Sequence, residues 1–478
     1  MSRRTAGDAR IRPRRMALPA QRVPVDDDAD VVVAGGGPGG FAAALRAARM
    51  GVRVVLVEKF DMPGGVHTAG LQGAAGPGAG GIHTELMAAF SDAGHIYTAT
   101  EDTHPGWAGN PLAHYEHRLK PGAPFARASF NPEGAGNVMA RLLEEAGVRA
   151  LYGAVVVDVI VKRTTGNDTI AAVVVEDAAG RRAIPGRVFV DGTGTAALAA
   201  RAGAPFVRGG GGQPPGTGWD GRPRPVPGGL LWIMSGVDIA KTIAYQRSGN
   251  DPTLANLIAE ARAAGDIPPE LYRPRMAGSG VYGDAYIGHP TVDLSPIRAP
   301  GSYVLWQNVP YDWALHMDDD AGDAARATRE MRALIDAEAG FLKKYVPGFG
   351  NATLANVGRF VGVRDGRHPV GEHVFSLADV LAGRRFRDAV TRPLTRSFHW
   401  DGHRRHTFEV PYRSFLPKKV RNLLLTGASL SFAYETIFMV MRNFPWCTQT
   451  GEIAGFAAAR AVAKGLSPKE LEWTTPYF

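Results

Sequence analysis

The stretch Val31–Lys59, VVVAGGGPGGFAAALRAARMGVRVVLVEK, decides the fold of this 478-residue chain. An apolar run, a burst of glycine, an Ala-rich amphipathic segment and a second apolar run ending in an acid spell strand, turn, helix and strand, which is one βαβ unit. Gly35, Gly37 and Gly40 fit G-x-G-x-x-G: the first permits a tight turn, the second lets a pyrophosphate approach the backbone, and the third lets helix and strand pack closely. The spacing predicts a helix from about Pro38, with its free N–H groups and positive dipole end aimed at that pyrophosphate. Glu58 closes the second strand, where a carboxylate accepts both ribose hydroxyls and repels a 2′-phosphate, so an adenine dinucleotide without that phosphate is favoured. The motif alone does not separate NAD from FAD.

At this length the chain exceeds one compact core and predicts two or three domains. The formal charge of +8 is concentrated at the start: residues 1–24 carry seven arginines (Arg3, Arg4, Arg10, Arg12, Arg14, Arg15 and Arg22) and one acid, Asp8. The remainder is nearly neutral, which argues against a nucleic-acid-binding face. Prolines punctuate this segment and no apolar stretch follows Arg3-Arg4, so residues 1–28 are expected to form a flexible arm rather than a targeting signal. The absence of a long uninterrupted apolar window predicts a soluble, cytoplasmic protein with no membrane span. Cys447 is the single cysteine, which excludes an intrachain disulfide and a Cys-rich metal site. His399, His403 and His406 approach a metal-binding spacing but lack a suitably placed acid, so no metal is expected.

After Glu58 the text KFDMPGGVHTAGLQGAAGPGAGGIHTELMAAF, from Lys59, holds too much glycine for a stable helix or strand; it suits a loop that lays backbone N–H groups along a ligand's phosphates and ribityl chain. Lys59, Gly65, His67 and Thr68 are its cofactor candidates. From Asn131 a capped helix is predicted, with Asn131 at the N-cap and Pro132 at the first helical position, ending before Gly147. A β-meander over about 151–190 follows, with Val156 as a further cofactor candidate, and leads to an apolar strand, Val188–Val190, that ends in Asp191-Gly192-Thr193-Gly194. A simple NAD domain needs neither the meander nor a second strand-end glycine turn. A doubly wound FAD domain uses both, and the arrangement resembles the glutathione-reductase-type FAD fold.

Residues 206–415 change to Gly/Pro-rich loops, scattered aromatics and a charged helical stretch from Asp318 to about Lys344, taken as a solvated face. They read as a substrate or cap domain. The segment from 416 to 470 returns to the cofactor: a strand Leu423–Thr426, a turn at Gly427, then an Ala-rich helix from about Thr448 that includes Gly451. Its small residues allow close approach to a flat ring, and its N-terminus favours negative charge on a reduced isoalloxazine. The expected layout is thus α/β, a doubly wound FAD domain (29–205 and 416–470) with an inserted meander, a second α+β substrate domain, and a tail at 471–478.

The segments DVVVAGGGPGGFAAALRAARMGVRVVLVEK, FVDGTGTAALAARAGAPF, LLWIMSGVD, VGVRDGRHPVGEHVFSLADVLAGRRF, VPYRSFLPKKVRNLLLTGASLS and CTQTGEIAGFAAARAVAKGLSP together resemble the FAD-dependent oxidoreductase family, related to the fumarate reductase and succinate dehydrogenase flavoproteins. The likeness runs in order from about Asp30 to Glu470. It implies FAD binding and redox chemistry on a small-molecule substrate. Members often read R-E-T-R-R where this chain has Arg364-Asp365-Gly366-Arg367-His368, T-H-E-A where it has Ala433-Tyr434-Glu435-Thr436, and G-R-C-I-S where it has Gly427-Ala428-Ser429-Leu430-Ser431. These departures leave the substrate open. Similarity to the succinate dehydrogenase-like His-Thr pair makes His67 a candidate for covalent attachment of FAD, the alternative being a loop histidine that hydrogen-bonds it.

A flavin that removes hydride needs a base for the accompanying proton and often a cation for a developing oxyanion or a carboxylate. Arg364, Arg367 and Arg442 are candidate clamps, and Tyr434 and Glu435 candidate proton carriers. The expected activity is hydride-transfer oxidation or reduction of a small organic substrate. Flavin-dependent monooxygenation and a non-catalytic flavoprotein are the alternatives.

Overall fold

The computed structural model describes residues 20–75, 80–97, 128–165, 167–208, 228–238, 241–242, 244–245, 251, 254–269, 271, 303–308, 317–318, 320–364, 366–392, 394–397, 405–433, 442–474 and 476–477. The βαβ unit forms as the glycine pattern predicts: strand Ala29–Ala34, helix Pro38–Ala48 and strand Val54–Glu58. The two strands are parallel, Val33 opposite Leu56, and their near-continuous valine and leucine suit a sheet buried on both faces.

The sheet has seven strands. Its parallel part runs Arg149–Tyr152, Val54–Glu58, Ala29–Ala34, Gly180–Asp191 and Leu423–Leu425. Strand Gly180–Asp191 belongs to two pairings. Residues 180–185 pair antiparallel with Thr169–Asp177 in the meander, which Val155–Lys162 completes, and residues 186–191 run parallel to the first strand. Val188–Val190 is therefore the end of the meander's last strand rather than a separate one. At the crossover Gly186 lets Val32 and Phe189 close over the backbone, since a Cβ there would lie 2.8 Å from Val32 Cγ2. The carboxyl ends Ala34, Glu58, Asp191 and Leu425 come out on one edge, the place where open α/β sheets take ligands.

Several boundaries depart from expectation. Residues 24–26 are docked: Ala183 N donates to Pro24 O, Asp26 N donates to Ala183 O, and Asp26 pairs with Arg149 and Arg182. The arm expected over 1–28 thus gives way to ordered chain before the first strand, and residues 1–19 lie outside the described set. The glycine-rich loop contains a helix, Gly81–Asp92, because its glycine-free half places Ile82, Leu86, Met87 and Phe90 on one buried face. The Asn131 cap is as predicted, its Oδ1 accepting from Glu133 N and Gly134 N. Helix Ala321–Tyr345, capped by Asp320, is amphipathic rather than wholly solvated, with Ala327, Met331, Ile335 and Leu342 buried.

A second core forms around strands Gly229–Ser235, Tyr303–Asn308 and Thr353–Val357 with helices Ala255–Ala263 and Ala321–Tyr345. Residues 375–416, read from sequence as part of the substrate unit, instead bury Phe375, Val390, Phe408, Val410 and Phe415 in the first core, beneath the C-terminal helix. The tail joins that core too: Trp473 stacks on Tyr412 with ring centroids 4.8 Å apart. The two cores meet where Leu71 packs with Leu231 and Ile233, Arg359 N donates to Ala69 O, Phe60 stacks on Phe360 at 4.7 Å, and Asp61 pairs with Arg359.

Candidate functional site

The site begins at the turn out of the first strand. Gly35 has φ +90°, and a Cβ there would sit 2.7 Å from Gly192 O, so the two strand-end turns close on one another. Gly40 faces the carbonyl of Gly35 so tightly that no side chain fits. Gly37 is different: the described atom nearest to its Cβ position is Gly192 O at 3.8 Å, which leaves its backbone open to a ligand. Gly37 is also the N-cap of helix Pro38–Ala48 and carries no capping side chain, so the first N–H groups of that helix point out of the turn. Pro38 at the first helical position removes a donor that would have been unpaired. A helix start with no capping side chain among the described residues, its positive dipole end and the absence of side chains form a cradle that suits a pyrophosphate.

Glu58 lies buried beside this cradle. One carboxylate oxygen accepts from Gly36 N at 2.5 Å and the other from Phe60 N at 2.9 Å, which orients the group and leaves lone pairs on both oxygens for hydroxyl donors. Burial pushes its pKa up, against those hydrogen bonds, which pull it down. Lys59 does not turn to the cradle: its ammonium lies over the rings of Phe60 and Phe360, 4.8 and 5.1 Å from their centroids. Val156 stands in the meander's outer strand opposite Val175, two residues beyond Ala154, whose N–H donates to Glu58 O.

The second turn is organised by Asp191, fully buried at its strand end. Its Oδ1 accepts from Thr193 N (3.0 Å), Thr193 Oγ1 (2.7 Å) and Ser429 Oγ (3.2 Å), and its Oδ2 accepts from Ala199 N (2.9 Å). Gly194 adopts φ +72° with open space where a Cβ would stand, and Gly192 N donates to Ala34 O. Asp191 shapes the turn through these four bonds. Gly427, with φ +60°, donates its N–H to Thr450 Oγ1 at 3.0 Å, bringing the third segment to the same edge.

The C-terminal helix begins at Phe444, capped by Asn443 Oδ1 accepting from Trp446 N, four residues earlier than the sequence suggests. Thr448 is accordingly inside the helix, its hydroxyl donating back to Phe444 O and Pro445 O. Gly451 meets the backbone of Gly39, and Gly455 that of Ala43. Gly451 and Gly455 thus serve the crossing of this helix with the first helix.

The loop after Glu58 folds against the cradle, with Gly64 N donating to Gly36 O and Gly65 lying over Gly37, where its Cβ would be 3.2 Å from Gly37 Cα. Thr68 Oγ1 donates to Pro63 O. His67 is buried, with Nδ1 3.0 Å from Gln72 O and its ring edge-on to Phe444 at 4.7 Å. Burial pushes its pKa down to about 4, so the ring is neutral at pH 7; donation from Nδ1 to the carbonyl then leaves Nε2 with its lone pair. The positive field of Arg442 and a neighbouring His83 add to that shift. His83, which the sequence reading does not single out, also lies edge-on to Phe444, at 5.5 Å.

Of the catalytic candidates, Arg442 is half-buried beside His67, at the entrance to the C-terminal helix, and Arg364 is half-buried in the loop that follows Val361. Arg367 is not a free clamp: it pairs with buried Asp318 (3.4 Å) and donates to Thr195 O (3.1 Å), tying the second unit to the second glycine turn. Tyr434 and Glu435 lie outside the described residues, as do His399 and His403. Among the described residues no cluster of His, Cys, Asp and Glu suits a metal ion, and no helix is long and apolar enough to cross a membrane.

The FAD dependent oxidoreductase family model matches residues 30–475, and the chain belongs to that family. Mitochondrial dihydrolipoyl dehydrogenase of Caenorhabditis elegans is 58% identical over 38 residues, and dihydrolipoyl dehydrogenase of Manduca sexta likewise; each match spans 8% of this chain and 8% of the relative. Among solved structures, a geranylgeranyl bacteriochlorophyll reductase-like protein from Thermoplasma acidophilum is similar at 13% identity, over 92% of this chain and 80% of that one, with a TM-score of 0.44. The p-nitrophenol 4-monooxygenase from Pseudomonas putida is similar at 11% identity, over 92% and 82%, with a TM-score of 0.42. The family to which the chain belongs is one of FAD-dependent oxidoreductases. The paired strand-end turns, the open backbone at Gly37 and the oriented Glu58 fit the adenosine diphosphate part of FAD.

Proposed function

We propose that this enzyme oxidises or reduces a small organic substrate by hydride transfer. The observation that carries the reading is the convergence of the Gly37 cradle, the Gly192–Gly194 turn and the Gly427 turn on one sheet edge, with Arg442 and His67 beside them. When bound, FAD supplies a two-electron acceptor or donor. Glu58 holds the ribose hydroxyls, and the N-terminus of helix Pro38–Ala48 holds the pyrophosphate. Arg442 and Arg364 supply cations for a substrate carboxylate or a developing oxyanion. With a pKa near 4, His67 is a poor general base at neutral pH, so proton removal falls to Tyr434 or Glu435. The same neutral Nε2 suits His67 for covalent attachment of the cofactor. A cytoplasmic location belongs to this reading, supported by the single cysteine.

The test is anaerobic reduction of the yellow protein by a panel of donors, followed by oxygen. Slow reoxidation marks a dehydrogenase or reductase. Oxygen incorporated into the substrate would favour monooxygenation and overturn the hydride-transfer reading. Gly37→Val and Glu58→Ala should yield pale protein, the second through weaker binding, since one lost bidentate ribose contact is worth about 1–3 kcal/mol. A full flavin spectrum in both variants would remove the cradle assignment. Acid precipitation separates the two roles of His67: yellow pellet and a His67 peptide heavier by FAD support attachment, whereas a yellow supernatant leaves His67 as a neighbour only.

A further inference from the structure

On the far side of the C-terminal helix from its crossing with the first helix, a cavity of about 10 Å³ is lined by Val390, Thr391, Phe415, Trp446, Gln449 and Ile453, among others. Three of these residues bring polar atoms that have no hydrogen-bond partner among the described residues: Thr391 Oγ1, Trp446 Nε1 and Gln449 Nε2. All three side chains are deeply buried, at 6%, 3% and 5% exposure. Three orphaned polar atoms on residues that line one small, mainly apolar cavity need an explanation, because buried polar groups without partners are costly and rare.

We propose that the cavity binds a single water molecule as a permanent part of the fold. The size fits, since one water needs about 10–15 Å³ measured this way. The donor and acceptor inventory also fits. Water accepts from Trp446 Nε1–H and from the Gln449 amide, filling its two lone pairs, and donates to Thr391 Oγ1, which gives three hydrogen bonds where two to four are usual. An anion would accept from the same groups, but no charged side chain lines the cavity and an uncompensated buried ion is far costlier than a neutral guest. An apolar guest would leave all three groups unpaired.

The water is a bridge between elements. Trp446 and Gln449 lie in the first turns of the C-terminal helix, whose Thr450 also lines the cavity and accepts from Gly427 N at the cofactor edge. Thr391 follows Val390, whose N–H donates to Val410 O and whose carbonyl accepts from Tyr477 N. The single guest therefore ties the helix that supports the Gly427 turn to the segment that receives the tail.

A crystal structure of the flavin-loaded protein should show a peak about 2.7–3.2 Å from Thr391 Oγ1, Trp446 Nε1 and Gln449 Nε2. Thr391→Val, which keeps the shape and removes the acceptor, should lose or displace it. A dry cavity, or a side chain filling it in the unmodified protein, overturns the proposal. In solution, Thr391→Val and Gln449→Leu should be non-additive in denaturation midpoint, because the second variant loses a bond to a water already gone; strict additivity overturns it. Should Gln449→Leu fail to fold, the unmodified protein with ¹⁵N-indole-labelled tryptophan decides: the Trp446 Nε1–H resonance should show a transfer peak from water, and its absence counts against the site.

Discussion

His67 touches the ring of Phe444, the carbonyl of Gln72 and almost no solvent. Its imidazole titrates near 6.5 in an unfolded chain and at about 4 here. Between those values the unfolded chain holds a proton that the native chain refuses, so stability falls as pH drops through that window and levels off below it. From pH 7 to pH 5 the loss is about 2 kcal/mol from this residue alone. Urea denaturation of the unmodified protein and His67→Gln at both pH values should show the flatter profile in the variant; equal slopes would mean that the neutral imidazole is not the source. The sequence drew attention to His67 through its neighbour Thr68 and its distance from Glu58. His83 carried no such signal, because what makes it notable is Phe444, which arrives from the other end of the chain. The same holds for Ser429, whose bond to Asp191 joins two turns that no local pattern links.

The helices show where local pattern suffices and where it does not. Asn131-Pro132 and Gly35–Gly40 announce a cap and a turn because the chemistry that fixes them lies within a few residues. The C-terminal helix began earlier than expected because its aromatic first turn, Phe444-Pro445-Trp446, looks irregular until Asn443 is seen capping it. Its glycines read equally well as a surface for a ring or for a backbone. Two of them meet the first helix: Gly451 against Gly39 and Gly455 against Ala43 are spaced one turn apart on both helices. Such a crossing depends on missing side chains. Gly455→Val should push the helices apart and cost about 1–3 kcal/mol by overpacking, read as a lower denaturation midpoint with helix content kept. The same substitution at Gly465, which lies beyond the helix end with open space around its Cβ position, should act through φ +66° strain alone.

Among the described residues the two cores and the C-terminal segment are joined by contacts that composition disguises. Residues 375–416 look like the Gly/Pro-rich segment before them, yet their apolar side chains complete the first core. The tail looks dispensable, being short and ending in loops, yet Trp473 stacks on Tyr412 and stands edge-on to Phe456 at 5.8 Å. Tyr477 donates its hydroxyl to Glu452 and its N–H to Val390 O, while Arg46 of the first helix lies 5.6 Å from the Tyr477 ring centroid and 5.7 Å from that of Phe456. First helix, C-terminal helix and the 390 segment are thus clasped by Trp473 and Tyr477. A large aromatic removed from such a site costs about 3–5 kcal/mol, a sizeable share of the 5–15 kcal/mol by which domains are stable. Trp473→Ala should lower the denaturation midpoint accordingly and speed proteolysis of the C-terminal helix, whereas Leu381→Ser, at a residue 54% exposed, should stay within about 0.5 kcal/mol of the unmodified protein. Because the clasp holds the helix whose Thr450 supports Gly427, Trp473→Ala should also loosen flavin retention, measured as faster loss of yellow colour on dilution. A Trp473→Ala protein as stable and as yellow as the unmodified one would show that the tail rests on the fold without supporting it.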